Sequence, residues 1–149
     1  MKKVVLGALH WASRLGLAGI FLYSGYVKLQ APLEFAAAVA GYQLVPVNLI
    51  YPVAQYFPWL EVVLGLLLLI GWKMRHWAIA ASALILFFIV ILTITYARGI
   101  EAACGCFGFG EKISLLTILR DSLFLLPALF LVWERRLRGR ARATASSAA

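Results

Sequence analysis

The two cysteines of this 149-residue chain, Cys104 and Cys106, are separated by Gly105 alone. Cysteines at this spacing can form a disulfide, but the small ring needs an unusual backbone, which glycine makes accessible because it has no Cβ atom. Strained disulfides are easily reduced and are therefore oxidising. So small a ring restricts the unfolded chain very little, which makes it a poor permanent crosslink. The spacing therefore indicates reversible thiol–disulfide exchange.

The elements that must position this pair are membrane helices. Hydrophobic residues make up 64% of the chain and charged residues 13%, which is more apolar surface than a water-soluble domain can hide. Four apolar stretches, at about residues 9–27, 54–72, 77–97 and 113–133, each approach the roughly 20 residues that cross a bilayer. We predict an all-α fold, an integral membrane four-helix bundle over residues 1–137, followed by a disordered tail at 138–149 that is basic and then rich in Ala and Ser.

The positive charges predict the orientation of the bundle. Of the 14 Lys and Arg residues, ten lie at the start of the chain, between the second and third spans, and after the fourth. These places share one side of the membrane, which the positive-inside rule makes the cytoplasmic side. We therefore expect cytoplasmic termini and a periplasmic Cys loop. The basic excess is explained by attraction to lipid rather than to nucleic acid.

The connection between the first two spans is too long for a tight turn. Residues 33–41 favour a short helix, with Pro32 in its first turn and Gly41 at its end, lying at the membrane interface. Two interpretations are open: a lid beside the Cys loop or a simple connector. Residues 42–46 and Pro52 are expected to keep the chain irregular between this helix and the second span. Glu61 is then expected within the first turn or so of the second span, near the positive end of the helix dipole.

Charged side chains from three spans gather toward the same end of the bundle: Lys28, Glu61, Arg120 and Asp121. Charges inside a bilayer usually face the bundle interior. One interpretation is a polar cavity beneath the Cys loop that tunes the thiols, relays protons or holds a quinone head group. The other is a structural ion-pair network joining the second and fourth spans.

Other basic residues and potential metal ligands bear on the chemistry of the Cys pair. Arg98, Lys112 or the start of the fourth span, which Ser114 should cap, could stabilise a thiolate. A zinc site needs about four ligands, and His10 and His76 map to the opposite side of the membrane. We therefore predict no metal site.

Five different short motifs follow one another along residues 11–133. Each is weak alone, but the series in this order is fairly specific. They are Gly25 to Leu29, Phe35, Tyr42 to Pro46, Pro58 to Glu61, and Cys104 to Gly108. In this series the chain resembles the DoxX-like membrane proteins, and more closely their MauE (methylamine utilisation) branch.

The resemblance implies a bacterial inner-membrane protein associated with thiol redox chemistry. Members of the MauE branch are linked to maturation of methylamine dehydrogenase, whose small subunit is rich in disulfides, alongside a thioredoxin-like partner. DoxX-like relatives are linked to sulfur and quinone redox chemistry.

The predicted function is thus that of a membrane thiol–disulfide oxidoreductase component. Cys104 and Cys106 would exchange disulfides with a periplasmic thioredoxin-like protein or a disulfide-containing client. Electrons would pass to or from a membrane quinone, or another subunit, near Glu61, Arg120 and Asp121. The alternative hypothesis is a non-enzymatic accessory or assembly subunit of a membrane complex, in which the Cys pair is structural.

Overall fold

The computed structural model describes residues 2–108 and 110–146, and the side chains of residues 4–108 and 110–133. Within these residues the chain is helical and forms no strand, apart from one antiparallel β-bridge between Ala103 and Lys112. The five helices are α1 (Lys2–Gln30), α2 (Pro32–Gly41), α3 (Val47–Ile70), α4 (Met74–Ala97) and α5 (Leu115–Ser146).

Four of these helices are long and apolar enough to cross a membrane. The candidate spans are Val4–Gln30, Val47–Ile70, Met74–Ala97 and Leu115–Trp133. Most of their surface is exposed and apolar, as expected where lipid replaces water as the solvent. The prediction of an all-α, four-span membrane protein with a short helix after the first span is confirmed. The predicted tail at 138–149 lies outside the residues whose side chains are described.

The second span differs from its prediction at its start. Helix α3 begins at Val47 and continues through Pro52 and Pro58, so the irregular stretch predicted as far as Pro52 ends at Pro46. Prolines are tolerated in membrane helices because neighbouring helices and local adjustments satisfy the freed backbone groups. As a consequence, Glu61 lies in the middle of α3 rather than in its first turn.

One end of the bundle, the loop end, is where α1 and α4 finish and α3 and α5 begin. There a buried cluster contains both cysteines together with residues of α2, α3 and α4. A second apolar cluster fills the other half of the bundle, including Leu17, Phe21, Leu64 and Leu68. The Cys pair is therefore built into the core and is not appended to it.

Close packing of α1 on α3 brings two functional helices together at the loop end. A Cβ atom added to Gly25 would lie 2.7 Å from Val62 Cγ2 and 2.9 Å from the Pro58 carbonyl oxygen. Glycine at this position thus permits an approach that any larger residue would obstruct. The contact sets α1 and α3 side by side where Lys28 meets Glu61.

Candidate functional site

The Cys loop, residues 98–114, folds back on itself between α4 and α5. The Cys104 N–H donates to the Glu111 carbonyl oxygen at 2.8 Å, and the Ile113 N–H donates to the Ala102 carbonyl oxygen at 3.0 Å. Gly105, at the bend, has φ +69°, a conformation that favours glycine. The Sγ atoms of Cys104 and Cys106 are 3.3 Å apart, and both are free thiols. The loop therefore holds the pair in contact as a dithiol.

The fourth span begins as the sequence predicted. The Ser114 side chain accepts a hydrogen bond from the Thr117 N–H at 3.3 Å, and the Ser114 N–H donates to Thr117 Oγ1 at 2.9 Å. This reciprocal arrangement satisfies free backbone donors at the helix start. It fixes the direction in which α5 leaves the Cys loop, and with it the positions of Arg120 and Asp121.

Helix α2 covers the Cys pair. A Cβ atom on Gly105 would lie 3.0 Å from the Tyr42 hydroxyl oxygen and 3.4 Å from Ala38 Cβ. The Tyr42 hydroxyl donates to the Cys104 carbonyl oxygen at 2.6 Å. Burial raises the pKa of Tyr42 far above its usual range, so this hydroxyl stays a neutral donor. Cys104 and Cys106 are only 0% and 8% exposed, and the short helix has the position of a lid.

Two adjacent side chains of α5 reach the two sulfurs separately. Arg120 donates from Nη1 to Glu111 Oε2 at 2.8 Å and from Nε to Asp121 Oδ1 at 3.2 Å. Its Nη2 lies 3.9 Å from Cys104 Sγ. The other carboxylate oxygen, Asp121 Oδ2, lies 3.4 Å from Cys106 Sγ. One sulfur therefore has a cation beside it, and the other a hydrogen-bond acceptor.

A buried ion pair lies on the other side of the Cys loop. Lys28 Nζ is 2.6 and 2.7 Å from the Glu61 carboxylate oxygens, and both side chains are almost fully buried. Lys28 also donates to Ser24 Oγ at 2.9 Å, and the Ser24 hydroxyl donates to the Cys106 carbonyl oxygen at 2.8 Å. The rings of Phe35, Phe57 and Phe88 surround the ammonium group at 5.0 to 5.5 Å.

The four charged residues predicted as one cluster thus form two groups around the Cys pair. Glu61 pairs with Lys28 and joins α1 to α3, whereas the ion-pair interpretation linked the second and fourth spans. Ser24 was missed by the sequence analysis, although it precedes Lys28 by four residues and so shares its helix face.

The basic residues predicted to stabilise a thiolate are engaged elsewhere. Arg98 donates from Nη1 to the Gln43 carbonyl oxygen at 3.3 Å. Lys112 forms an exposed ion pair with Glu101 at 2.6 Å. The guanidinium beside Cys104 is instead that of Arg120, which the sequence analysis had assigned to the polar cluster.

The two thiols are electrostatically unequal. The hydrogen bond shared with Cys106 lowers the pKa of Cys104, and Arg120 lowers it further. Burial and Asp121 act in the opposite direction and raise it. The same hydrogen bond, together with burial, raises the pKa of Cys106 well above its usual range. When one proton leaves the pair, the remaining proton therefore stays on Cys106, and Cys104 is the thiolate.

This inequality predicts a difference between two variants at position 106. In Cys106→Ser a hydroxyl can still donate to Cys104, whereas in Cys106→Ala no donor remains. We expect the Cys104 thiolate to form at lower pH in the serine variant, because only that variant keeps the hydrogen bond that favours the charged sulfur. Ultraviolet thiolate absorbance of the purified variants, followed against pH, checks this. Identical titration curves would contradict the assignment.

A small cavity lies inside the bundle beneath the Cys loop. Its volume is about 50 Å³, and Ser24, Glu61, Cys106 and Asp121 are among its lining residues. One water needs roughly 10–15 Å³ by this measure, so the cavity has room for a few waters. Small-molecule pockets are commonly about 300–1,000 Å³. A quinone ring therefore does not fit among these residues in this conformation.

Cys104, Cys106 and Asp121 also bring three potential metal donors within 4.8 Å of one another. Structural zinc sites take four protein ligands, and this group, within the described part of the chain, has three. The Arg120 guanidinium lies beside both Cys104 and Asp121 and opposes the approach of a second cation. The geometry favours thiol chemistry over metal binding.

Fold and site together define a class: a multi-pass membrane protein with a buried dithiol at one end of a four-helix bundle. The family model described as "Methylamine utilisation protein MauE" matches residues 6–134, and the chain belongs to the MauE family.

Curated relatives agree with this assignment. Methylamine utilization protein MauE of Paracoccus denitrificans is 32% identical over 122 residues, which are 80% of this chain and 66% of that protein. Its counterpart in Methylorubrum extorquens is 34% identical over 109 residues, which are 71% of this chain and 59% of that protein. The chain therefore spans less than two thirds of the length of these relatives. No solved structure matches it.

Proposed function

We propose that this protein is a thiol–disulfide exchange protein of the bacterial inner membrane, in which Cys104 and Cys106 cycle between dithiol and disulfide. The observation that carries the proposal is the contact between the two sulfurs at 3.3 Å, with Arg120 beside one and Asp121 beside the other. A purely structural pair needs neither group.

The exchange needs no oxidant or reductant besides the two proteins that take part. The Cys104 thiolate attacks a disulfide sulfur of the partner, a mixed disulfide forms, and the partner's other sulfur leaves as a thiolate. Cys106 then attacks Cys104 Sγ, which closes the internal disulfide and releases the partner as a dithiol. Two electrons have passed to the partner. The same steps in reverse oxidise a partner dithiol.

We propose a periplasmic thioredoxin-like protein or a disulfide-containing client as the partner. The placement of the basic residues supports cytoplasmic termini and a periplasmic Cys loop. The relatives' names concern methylamine utilization, which supports a role in that pathway, and within it we propose maturation of methylamine dehydrogenase. A membrane quinone is proposed as the second redox partner, but no step is routed through the cavity beneath Cys106.

The test compares wild type with Cys104→Ser, Cys106→Ser and the double variant in cells growing on methylamine. Cells are quenched with acid, denatured, and labelled with a maleimide mass tag with and without prior reduction. We expect a mixture of oxidised and reduced wild-type protein, and a mixed disulfide with a partner in Cys106→Ser. The proposal fails if the pair never changes redox state and the double variant grows normally.

Burial of both thiols is the observation that favours the alternative, an accessory or assembly subunit with a structural Cys pair. That hypothesis predicts a single redox state in the mass-tag assay, whatever the growth conditions. It also predicts that the double variant loses growth only to the extent that it loses folded protein. Membrane abundance of the double variant, measured beside its growth, separates the two hypotheses.

A further inference from the structure

We propose that Asp121 is the base that takes the proton of the Cys106 thiol when the internal disulfide closes, and the acid that returns it when the disulfide opens. This inference rests on the proposed function and adds a catalytic residue to it. Arg120 acts beside Asp121 by holding Cys104 as the thiolate that meets the partner.

The Cys106 thiol is shielded from bulk water. Cys106 is 8% exposed and Asp121 is 5% exposed, so bulk water does not reach the thiol directly. A general base must lie within hydrogen-bonding reach of the proton that it abstracts. Asp121 Oδ2 lies 3.4 Å from Cys106 Sγ, while Oδ1 accepts from Arg120 Nε. The carboxylate is thereby held with one oxygen toward the sulfur.

The other charged and titratable groups around the Cys pair already have hydrogen-bond or ion-pair partners. From α1 and α3, Lys28 and Glu61 neutralise each other. From the Cys loop, Glu111 accepts from Arg120. Directly after α2, the Tyr42 hydroxyl donates to a backbone carbonyl. Among the described residues, Asp121 is the carboxylate in contact with a cysteine sulfur.

The Cys106 thiol needs a base before it can attack Cys104. Cys106 is the resolving cysteine in the proposed exchange, and its burial, which persists after Cys104 has joined the partner, raises its pKa. Once Cys104 is joined to the partner, the Cys106 thiol must lose its proton to attack. As the new sulfur–sulfur bond forms, the proton passes to Asp121 Oδ2, and the partner's sulfur leaves with the electron pair. Asp121 then gives up the proton to that thiolate or to cavity water.

The test uses the purified full chain in detergent and dithiodipyridine, a small disulfide that releases a coloured thiopyridone at each of two steps. The first release reports attack by Cys104 and depends on reagent concentration. The second reports closure by Cys106 and does not. We expect Asp121→Asn to slow the second release by about 100-fold or more. Its rate should rise about tenfold per pH unit, because deprotonation then falls to solvent hydroxide.

Asp121→Glu is the matched variant, since it keeps a carboxylate at slightly altered reach. It should retain much of the wild-type pH profile at a reduced rate. Thermal unfolding of wild type, Asp121→Asn and Asp121→Glu identifies any loss of fold. The Asp121 assignment is overturned if the folded Asp121→Asn protein closes its disulfide at the wild-type rate with the wild-type pH profile. If wild type itself releases only one thiopyridone, the proposed function fails instead.

Discussion

Lys28→Met is expected to destabilise the bundle by about 3–5 kcal/mol, because it leaves the Glu61 carboxylate charged and without its partner in the protein interior. Both side chains of the pair are almost fully buried. A double variant, Lys28→Met with Glu61→Leu, removes both charges and fills the space with apolar atoms. Such replacements of buried ion pairs are often neutral or stabilising, so the double variant should recover most of the lost stability.

Unfolding of the detergent-solubilised proteins, followed by circular dichroism against temperature, measures both effects. Lys112→Met is the matched control, because it removes a lysine from an ion pair whose side chains are 74% and 78% exposed. It should change the unfolding temperature very little. If the double variant is no more stable than Lys28→Met, the ammonium and its aromatic surroundings are needed for more than charge pairing.

Gly25→Ala is the second change with a large expected effect. Its Cβ atom would lie 2.7 Å from Val62 Cγ2 and 2.9 Å from the Pro58 backbone oxygen, so α1 and α3 would have to separate. Overpacking of this kind costs about 1–3 kcal/mol. The separation would also lengthen the Lys28–Glu61 contact a single turn away.

Gly19 provides the control on the same helix. A Cβ atom there meets nothing within 4 Å, so Gly19→Ala should leave stability unchanged or raise it by up to about 1 kcal/mol through helix propensity. The comparison is made by the same unfolding assay. Equal effects of the two alanines would show that close approach of α1 and α3 is not what Gly25 provides.

Most of the architecture follows from composition. Runs of about 20 apolar residues specify the spans, because the bilayer fixes the length that a helix must cover. Pro32 and Gly41 correctly bound α2, since each residue type suits one end of a helix. Pro52 misled the prediction for the start of α3, because proline's penalty in an isolated helix is offset where neighbouring helices support the backbone.

The site was predictable as a set of residue types but not as a set of partners. The spacing of Cys104 and Cys106 predicted their contact, because residues two positions apart in a bend can bring their sulfurs together without help from the rest of the fold. The pairing of Lys28 with Glu61, and the position of Arg120 beside Cys104, depend on how the helices are rotated about their axes. That rotation is decided by close contacts such as Gly25 on Val62, which hydropathy does not encode.

Because α2 covers the Cys pair, it affects how fast the pair can react with other thiols and disulfides. A dithiol that is almost fully buried meets small oxidants and stray thiols slowly, whatever its equilibrium potential. In the proposed exchange it would react at a useful rate only with a protein able to displace Phe35 and Tyr42. In a compartment where several thiol couples coexist, such burial would keep the proposed Cys104–Cys106 couple out of equilibrium with the others. Recognition of a protein surface, rather than reduction potential, would then decide which proteins exchange electrons with it.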